Sequence, residues 1–188
     1  MNSKSSWLLA CALMVTLAAV SLAKDKQDDA KDREHATKCL GMAKLSAVEA
    51  IQTAMKKVPN GKAVQADLHM ENDRPLFLVE IVDSNGNHME LNIDAISGMA
   101  SQVVEEKKTS KNSDDEKSEE DAAKGKVTLV QAIETALQKM PNAKVYKACC
   151  ENEDGKVVFA IELLSGDKIE HAQVDSDTGK VIDKKNAK

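Results

Sequence analysis

The sequence predicts an α+β fold of two tandem repeats, each a helix packed on a three- to four-stranded antiparallel sheet in two layers. First, residues 46–62 recur at 128–144, with nine of seventeen positions identical. Second, each copy begins with apolar residues at helical spacing. Third, each continues with the alternation typical of half-buried strands. Units of about 55 residues bury little surface alone, so we expect the two copies to pack together or against a partner.

The charge balance excludes some classes of partner. The 188 residues include 26 basic and 31 acidic side chains, a net charge of -5. Nucleic-acid binding depends on basic surfaces that displace counterions, so nucleic acid is not expected as a partner. Aromatic residues make up only 2% of the chain, which argues against a stacking platform for single strands.

The first 23 residues have the pattern of a secretory signal peptide. Lys4 precedes an apolar run over residues 7–20, and Ser21-Leu22-Ala23 provides small residues at the cleavage site. We expect cleavage after Ala23, export to the periplasm or the extracellular space, and no stable membrane span in the mature chain. An uncleaved anchor and a lipid attached to Cys11 are alternatives.

The remaining chain divides by composition. The predicted parts are a polar N-terminal segment, a first repeat, a charged linker and a second repeat, at 24–44, 45–104, 105–126 and 127–185. The linker has almost no apolar residue and cannot bury enough surface to order itself, so it is predicted to be solvated. The N-terminal segment resembles the linker in composition up to residue 38 and is also predicted to be solvated, with a frayed helix as the alternative.

Helix and strand signals follow the same order in both repeats. Ser46 with Glu49, and Thr128 with Gln131, form the capping-box pattern at the start of each helix. A Pro-Asn pair ends each helix. The predicted strands of the first repeat cover residues 64–70 and 76–82 and a third strand around Leu91, with turns between them.

These motifs together resemble the PepSY domain. They comprise the capped helix, the segments 77–81 and 92–98, and the Gly86 turn, with segments 159–163 and 174–181 in the second copy. The resemblance implies an exported, non-catalytic protein, and a role in regulating or inhibiting a peptidase outside the cytoplasm. It also implies that tandem copies form one two-layer body. No peptidase unit accompanies the repeats in this sequence, so such regulation is expected between separate molecules.

The polar residues do not form a recognisable catalytic or cofactor motif. A disulfide between Cys39 and Cys149 is one pairing that export would allow. The four histidines are predicted to be solvated, although a metal site from His69 and His88 is an alternative. The acidic turns at 83–87 and 175–179 hint at calcium, yet turn chemistry explains the residues of both better. We therefore predict no catalytic residue, no cofactor and no metal ligand.

The outer face of the second strand in each repeat is the predicted partner-binding surface. It is apolar and flanked by acids, a combination typical of contact surfaces. Contact with only the other repeat or a second subunit is the alternative. A small-ligand or metal-binding envelope protein, and a purely structural repeat protein, are the alternative functions. The predicted partner-binding residues are Leu76, Leu78, Glu80, Val158, Ala160 and Glu162.

Overall fold

The computed structural model describes residues 30–101, 103–105 and 114–182. The predicted signal peptide lies outside this range. The described helices are α1 (30–42), α2 (Ala47–Met55), α3 (Asp114–Lys124) and α4 (Leu129–Lys139). The described strands are β1 (Lys62–Glu71), β2 (Arg74–Val82), β3 (His88–Asp94), β4 (Val104–Glu105), β5 (Lys144–Glu153), β6 (Lys156–Ser165) and β7 (Lys168–Asp175).

All seven strands belong to one antiparallel sheet in the order β4-β3-β2-β1-β5-β6-β7. Each repeat contributes one half, and the halves meet where β1 pairs with β5. This seam has three residue pairs, Gln65–Cys149, Ala66–Ala148 and Asp67–Lys147. The prediction of an α+β fold from two tandem repeats is confirmed, and the two copies pack through a shared sheet.

One face of the sheet, called here the inner face, forms the core with α2 and α4. In the first repeat its β2 residues are Phe77, Val79 and Ile81, none of which is exposed. Ile51 of α2 and Ile133 of α4 are also fully buried in this core. Burial of each such side chain stabilises the fold by roughly 1.5–3 kcal/mol. The alternation predicted for these strands therefore matches the face that is buried.

Both predicted capping boxes are present. The Ser46 hydroxyl accepts a hydrogen bond from the Glu49 backbone N–H, and the Glu49 carboxylate accepts one from the Ser46 N–H at 2.8 Å. Thr128 and Gln131 repeat the arrangement at the start of α4. These bonds satisfy N–H groups that a helix end leaves without intrahelical partners.

The charged segment before the second repeat is not wholly solvated. Residues 114–124 form α3, which contacts β1, β2, β5 and β6, and its Ser118 and Ala122 are buried. The prediction of a solvated linker is wrong for this part, because α3 packs against the sheet. The polar segment before the first repeat also forms a helix with buried residues. Residues 30–42 form α1, and Ala36, Cys39 and Leu40 are buried.

The two helices are repeat equivalents. Ser118 and Ala122 follow Ala36 and Leu40 at the same offset of 82 that relates the two copies. The repeated unit is thus two helices followed by the strands, longer than the sequence motifs indicate. Burial of Ala or Ser gives a much weaker apolar signal than burial of Leu, which is why the sequence pattern misses α3.

Candidate functional site

The outer face of the sheet carries two rows of side chains across the seam. In one row, Leu78, Asp67, Lys147 and Glu162 lie in register on β2, β1, β5 and β6. The neighbouring row consists of Glu80, Gln65, Cys149 and Ala160 on the same four strands. Neighbouring strands are about 4.8 Å apart, so each row spans roughly 14 Å.

The register brings four of the predicted partner-binding residues onto one surface. Leu78 and Glu162 end one row, and Glu80 and Ala160 end the other. Each of the four is partly exposed, as is Leu76 further along β2. Val158 is fully buried, so its prediction as a partner contact is wrong for this conformation.

A compact cluster of three polar side chains lies at the β2–β3 end of this face. His88 Nδ1 lies 2.6 Å from Glu80 Oε1 and 3.1 Å from Glu119 Oε2. One potential ligand atom from each residue lies within 4.8 Å of the other two. The His88 side chain is only 5% exposed, and each carboxylate side chain is 14% exposed. We call these residues the Glu–His–Glu cluster.

Three separate elements position the cluster. Glu80 is on β2, His88 begins β3, and Glu119 comes from the second turn of α3. His88 pairs with Val82 in register, which places it on the same outer face as Glu80. The solvated role predicted for His88 is therefore wrong, because α3 covers it. The alternative that joins His69 to His88 differs from the cluster observed.

Sequence spacing gives no signal for this cluster. Glu119 is 31 residues beyond His88 and lies in the segment predicted to be solvated. The repeat comparison gives no help either, because Ile169 occupies the position of His88 in the second half of the sheet. The only available signal is a histidine within an otherwise strand-like pattern.

The described cysteines are free thiols. Cys39 is buried in α1, with Sγ 3.5 Å from His35 Nε2. Cys149 Sγ instead lies 3.8 Å from the Glu151 carboxylate, two residues along the same strand. The bridge proposed between Cys39 and Cys149 is not formed, since each thiol has a different neighbour.

Burial raises the pKa values of these thiols. Desolvation raises the pKa of Cys149 to about 11, with the Glu151 charge adding to the effect. Burial also raises the pKa of Cys39 and, with the charge of Glu119, that of Cys150. Reactive cysteines have lowered pKa values, so none of these environments is that of a catalytic nucleophile.

The acidic turns use their carboxylates to hold the backbone. Asp94 Oδ1 accepts hydrogen bonds from the N–H groups of Ile96 and Ser97, and Asp175 Oδ1 does the same for Asp177 and Thr178. Asp83 similarly accepts hydrogen bonds from the N–H groups of Asn85 and Asn87 in the 83–87 turn. These bonds lower the pKa values of Asp83, Asp94 and Asp175.

Comparison with known families assigns both halves of the sheet. The model described as "Peptidase propeptide and YPEB domain", PepSY, matches residues 44–98 and 126–185, together more than half of the chain. The chain belongs to the PepSY family. The two PepSY matches coincide with the two halves that meet at the β1–β5 seam. The family assignment made from the sequence motifs is confirmed.

Other comparisons are less informative about these PepSY repeats. A crystal structure from Clostridium difficile 630, named a "putative lipoprotein", is 23% identical and has a TM-score of 0.43. The alignment covers 75% of this chain and 92% of that one. No curated protein matches. Among the described residues, the helices are all too short or too polar to cross a bilayer.

Proposed function

We propose that this tandem PepSY protein is an exported, non-catalytic binding protein that regulates an extracytoplasmic peptidase by protein–protein contact. The observation that carries the proposal is the match of both repeats to a family described by its peptidase propeptides. A propeptide acts by contact with its peptidase. The signal-peptide pattern of residues 1–23 supports export.

The outer sheet face offers the best-supported contact surface. Leu76, Leu78 and Ala160 give it apolar area, and all three are partly exposed. Asp67 and Lys147 face each other between the apolar ends of the two rows. An apolar surface with charges that fix the orientation is typical of protein interfaces. The peptidase would contact the part of this face that α3, which lies across the central strands, leaves exposed.

The experiment is a competition between wild type and a charged variant. Increasing amounts of purified protein are added to the extracytoplasmic peptidases of the source cells, and hydrolysis of a protein substrate is followed. Wild type is expected to lower the rate saturably. The substitution Leu78→Lys is expected to abolish that effect, because it places a charge in the apolar part of the contact.

A matched control introduces the same charge on the helix layer. Gln138 is exposed on α4, on the opposite side of the molecule from the rows, so Gln138→Lys is expected to inhibit like wild type. Circular dichroism must show that both variants fold. Hydrolysis unaffected by wild type, over peptidases of every catalytic class present, would reject the regulatory function. Equal inhibition by Leu78→Lys would reject this surface.

A further inference from the structure

We propose that the Glu–His–Glu cluster is a binding site for a divalent transition-metal ion, with Zn²⁺ as its best-suited occupant. The ligands would be His88 Nδ1 and one carboxylate oxygen each from Glu80 and Glu119. Three protein ligands that combine imidazole and carboxylate, with a fourth position open, are a donor set that suits Zn²⁺.

The geometry of the three ligand atoms is close to what the ion needs. In a tetrahedral site with bonds of about 2.0–2.1 Å, neighbouring ligand atoms are about 3.3 Å apart. His88 Nδ1 is 2.6 Å and 3.1 Å from the two carboxylate oxygens. Rotation of the glutamate side chains that moves their oxygens outward from His88 Nδ1 would open the space for the ion.

The charges around the cluster favour a cation. Glu80 and Glu119 direct two carboxylates at one imidazole, and Glu90 lies in register opposite Glu80 on the same outer face. A divalent ion would interact with these carboxylates in a position that is largely shielded from water, where electrostatic interactions are stronger than at an exposed surface.

The ion would also fix α3 to the first repeat. Six of the eleven residues of α3 are acidic, and an isolated helix of this length is only marginally stable in water. Ser118 and Ala122, two small residues, are the buried ones in the described part of this helix. A ligand bond from Glu119 to an ion held by β2 and β3 would tie the segment before repeat 2 to the sheet of repeat 1.

Isothermal titration of the metal-free protein with ZnCl₂ tests the site. Wild type is expected to bind one Zn²⁺ per chain, with a rise in melting temperature. His88→Gln and Glu119→Gln are each expected to weaken binding by about 10- to 100-fold or more, since loss of a direct ligand costs at least as much as loss of a supporting group. Mg²⁺ and Ca²⁺ in excess are expected not to compete, because they prefer sites made only of oxygen ligands.

The second repeat supplies a matched control. His171 pairs with Glu162 on the outer face of repeat 2 and is exposed, so His171→Gln removes a histidine without touching the cluster. It is expected to bind Zn²⁺ like wild type. If His88→Gln does not fold, Glu119→Gln tests Zn²⁺ binding by the cluster, because Glu119 lies on α3, outside both halves of the sheet.

Three results would overturn the proposal. One is the absence of saturable Zn²⁺ binding by folded wild type. Another is binding by Glu119→Gln as tight as that of wild type, which would place the ion elsewhere. The third is equal binding of Ca²⁺, which would reject a transition-metal site. These readouts are independent of any peptidase, so failure here leaves the proposed regulatory function standing.

Discussion

Leu45 packs directly against Gly98: a Cβ atom added to this glycine would lie 3.4 Å from Leu45 Cδ2. Val127 makes the same contact with Gly179 in the second repeat, at 3.3 Å. Both glycines have positive φ, at 74° and 68°. Two features therefore favour glycine at the end of the turn in each PepSY motif. The backbone there is left-handed, and a neighbouring side chain lies close to the position of a Cβ atom.

The substitution Gly98→Ala tests both reasons. It is expected to destabilise the protein by about 1–2 kcal/mol for the left-handed backbone, and the added methyl group would lie at the lower limit of van der Waals contact with Leu45. Gly86→Ala is the control, because its φ of 82° is similar and a Cβ there has nothing within 4 Å. Urea unfolding measures both. A smaller loss in Gly98→Ala than in Gly86→Ala would contradict the packing argument.

Docking of α3 can be tested at its buried alanine. Ala122 is 4% exposed, so Ala122→Arg is expected to lift the helix from the sheet and to destabilise the protein by about 1–3 kcal/mol. The exposed Glu120 offers the control substitution Glu120→Arg on the same helix. Amide hydrogen exchange over residues 114–124 reads out the docking. Unchanged protection in Ala122→Arg would show that the helix does not depend on this contact.

Acid is expected to destabilise the turns held by Asp94 and Asp175. Backbone N–H groups and neighbouring hydroxyls hold the pKa values of both carboxyls below the usual range. A lowered folded-state pKa means that the stabilisation is complete above the unfolded-state pKa near 4 and is lost as pH falls through the folded-state value.

The unfolding free energy should therefore fall steadily as pH drops below about 5, and less steeply in Asp94→Asn than in wild type. Thermal melts across this pH range measure the slope. The control is Asp154→Asn, at an exposed carboxyl in the β5–β6 turn. Equal slopes in wild type and Asp94→Asn would remove this carboxyl from the explanation.

The three described thiols are expected to react slowly in the folded state. The thiolate is the reactive form, and desolvation raises the pKa of Cys149 to about 11 while burial also raises that of Cys39. Iodoacetamide at pH 8 should label the native protein far more slowly than the protein in urea. Mass spectrometry of the labelled peptides assigns each rate. Rapid labelling of native Cys39 would contradict its burial.

The parts predicted well from the sequence are those with strong periodic signals. The apolar stripe around Ile51 and the alternation around Val79 report burial directly, because large apolar side chains occupy the inner face. Repetition of the pattern doubled that signal. The repeated turns ended by Gly98 and Gly179 follow from the same local chemistry, since Asp and Gly are needed there by the backbone.

The parts missed depend on long-range contacts between weak local signals. The buried residues of α3 are small and its surface is acidic, so composition indicates solvent exposure where the chain in fact packs. The Glu–His–Glu cluster joins β2 and β3 to that same helix. Because the sequence predicts that the segment with Glu119 is exposed to solvent, it gives no indication that His88 is buried. The seam at Asp67–Lys147 is likewise invisible, because cross-repeat register leaves no pattern along the chain.

The β1–β5 seam pairs two similar units within a single chain, as the interface of a dimer pairs two separate chains. Two separate units would associate in a bimolecular reaction, and the fraction of paired units would fall on dilution. Covalent connection replaces that encounter by an intramolecular one, whose effective concentration does not change when the protein is diluted. The paired sheet should therefore persist after release into a large external volume, where a partnership of free units would come apart.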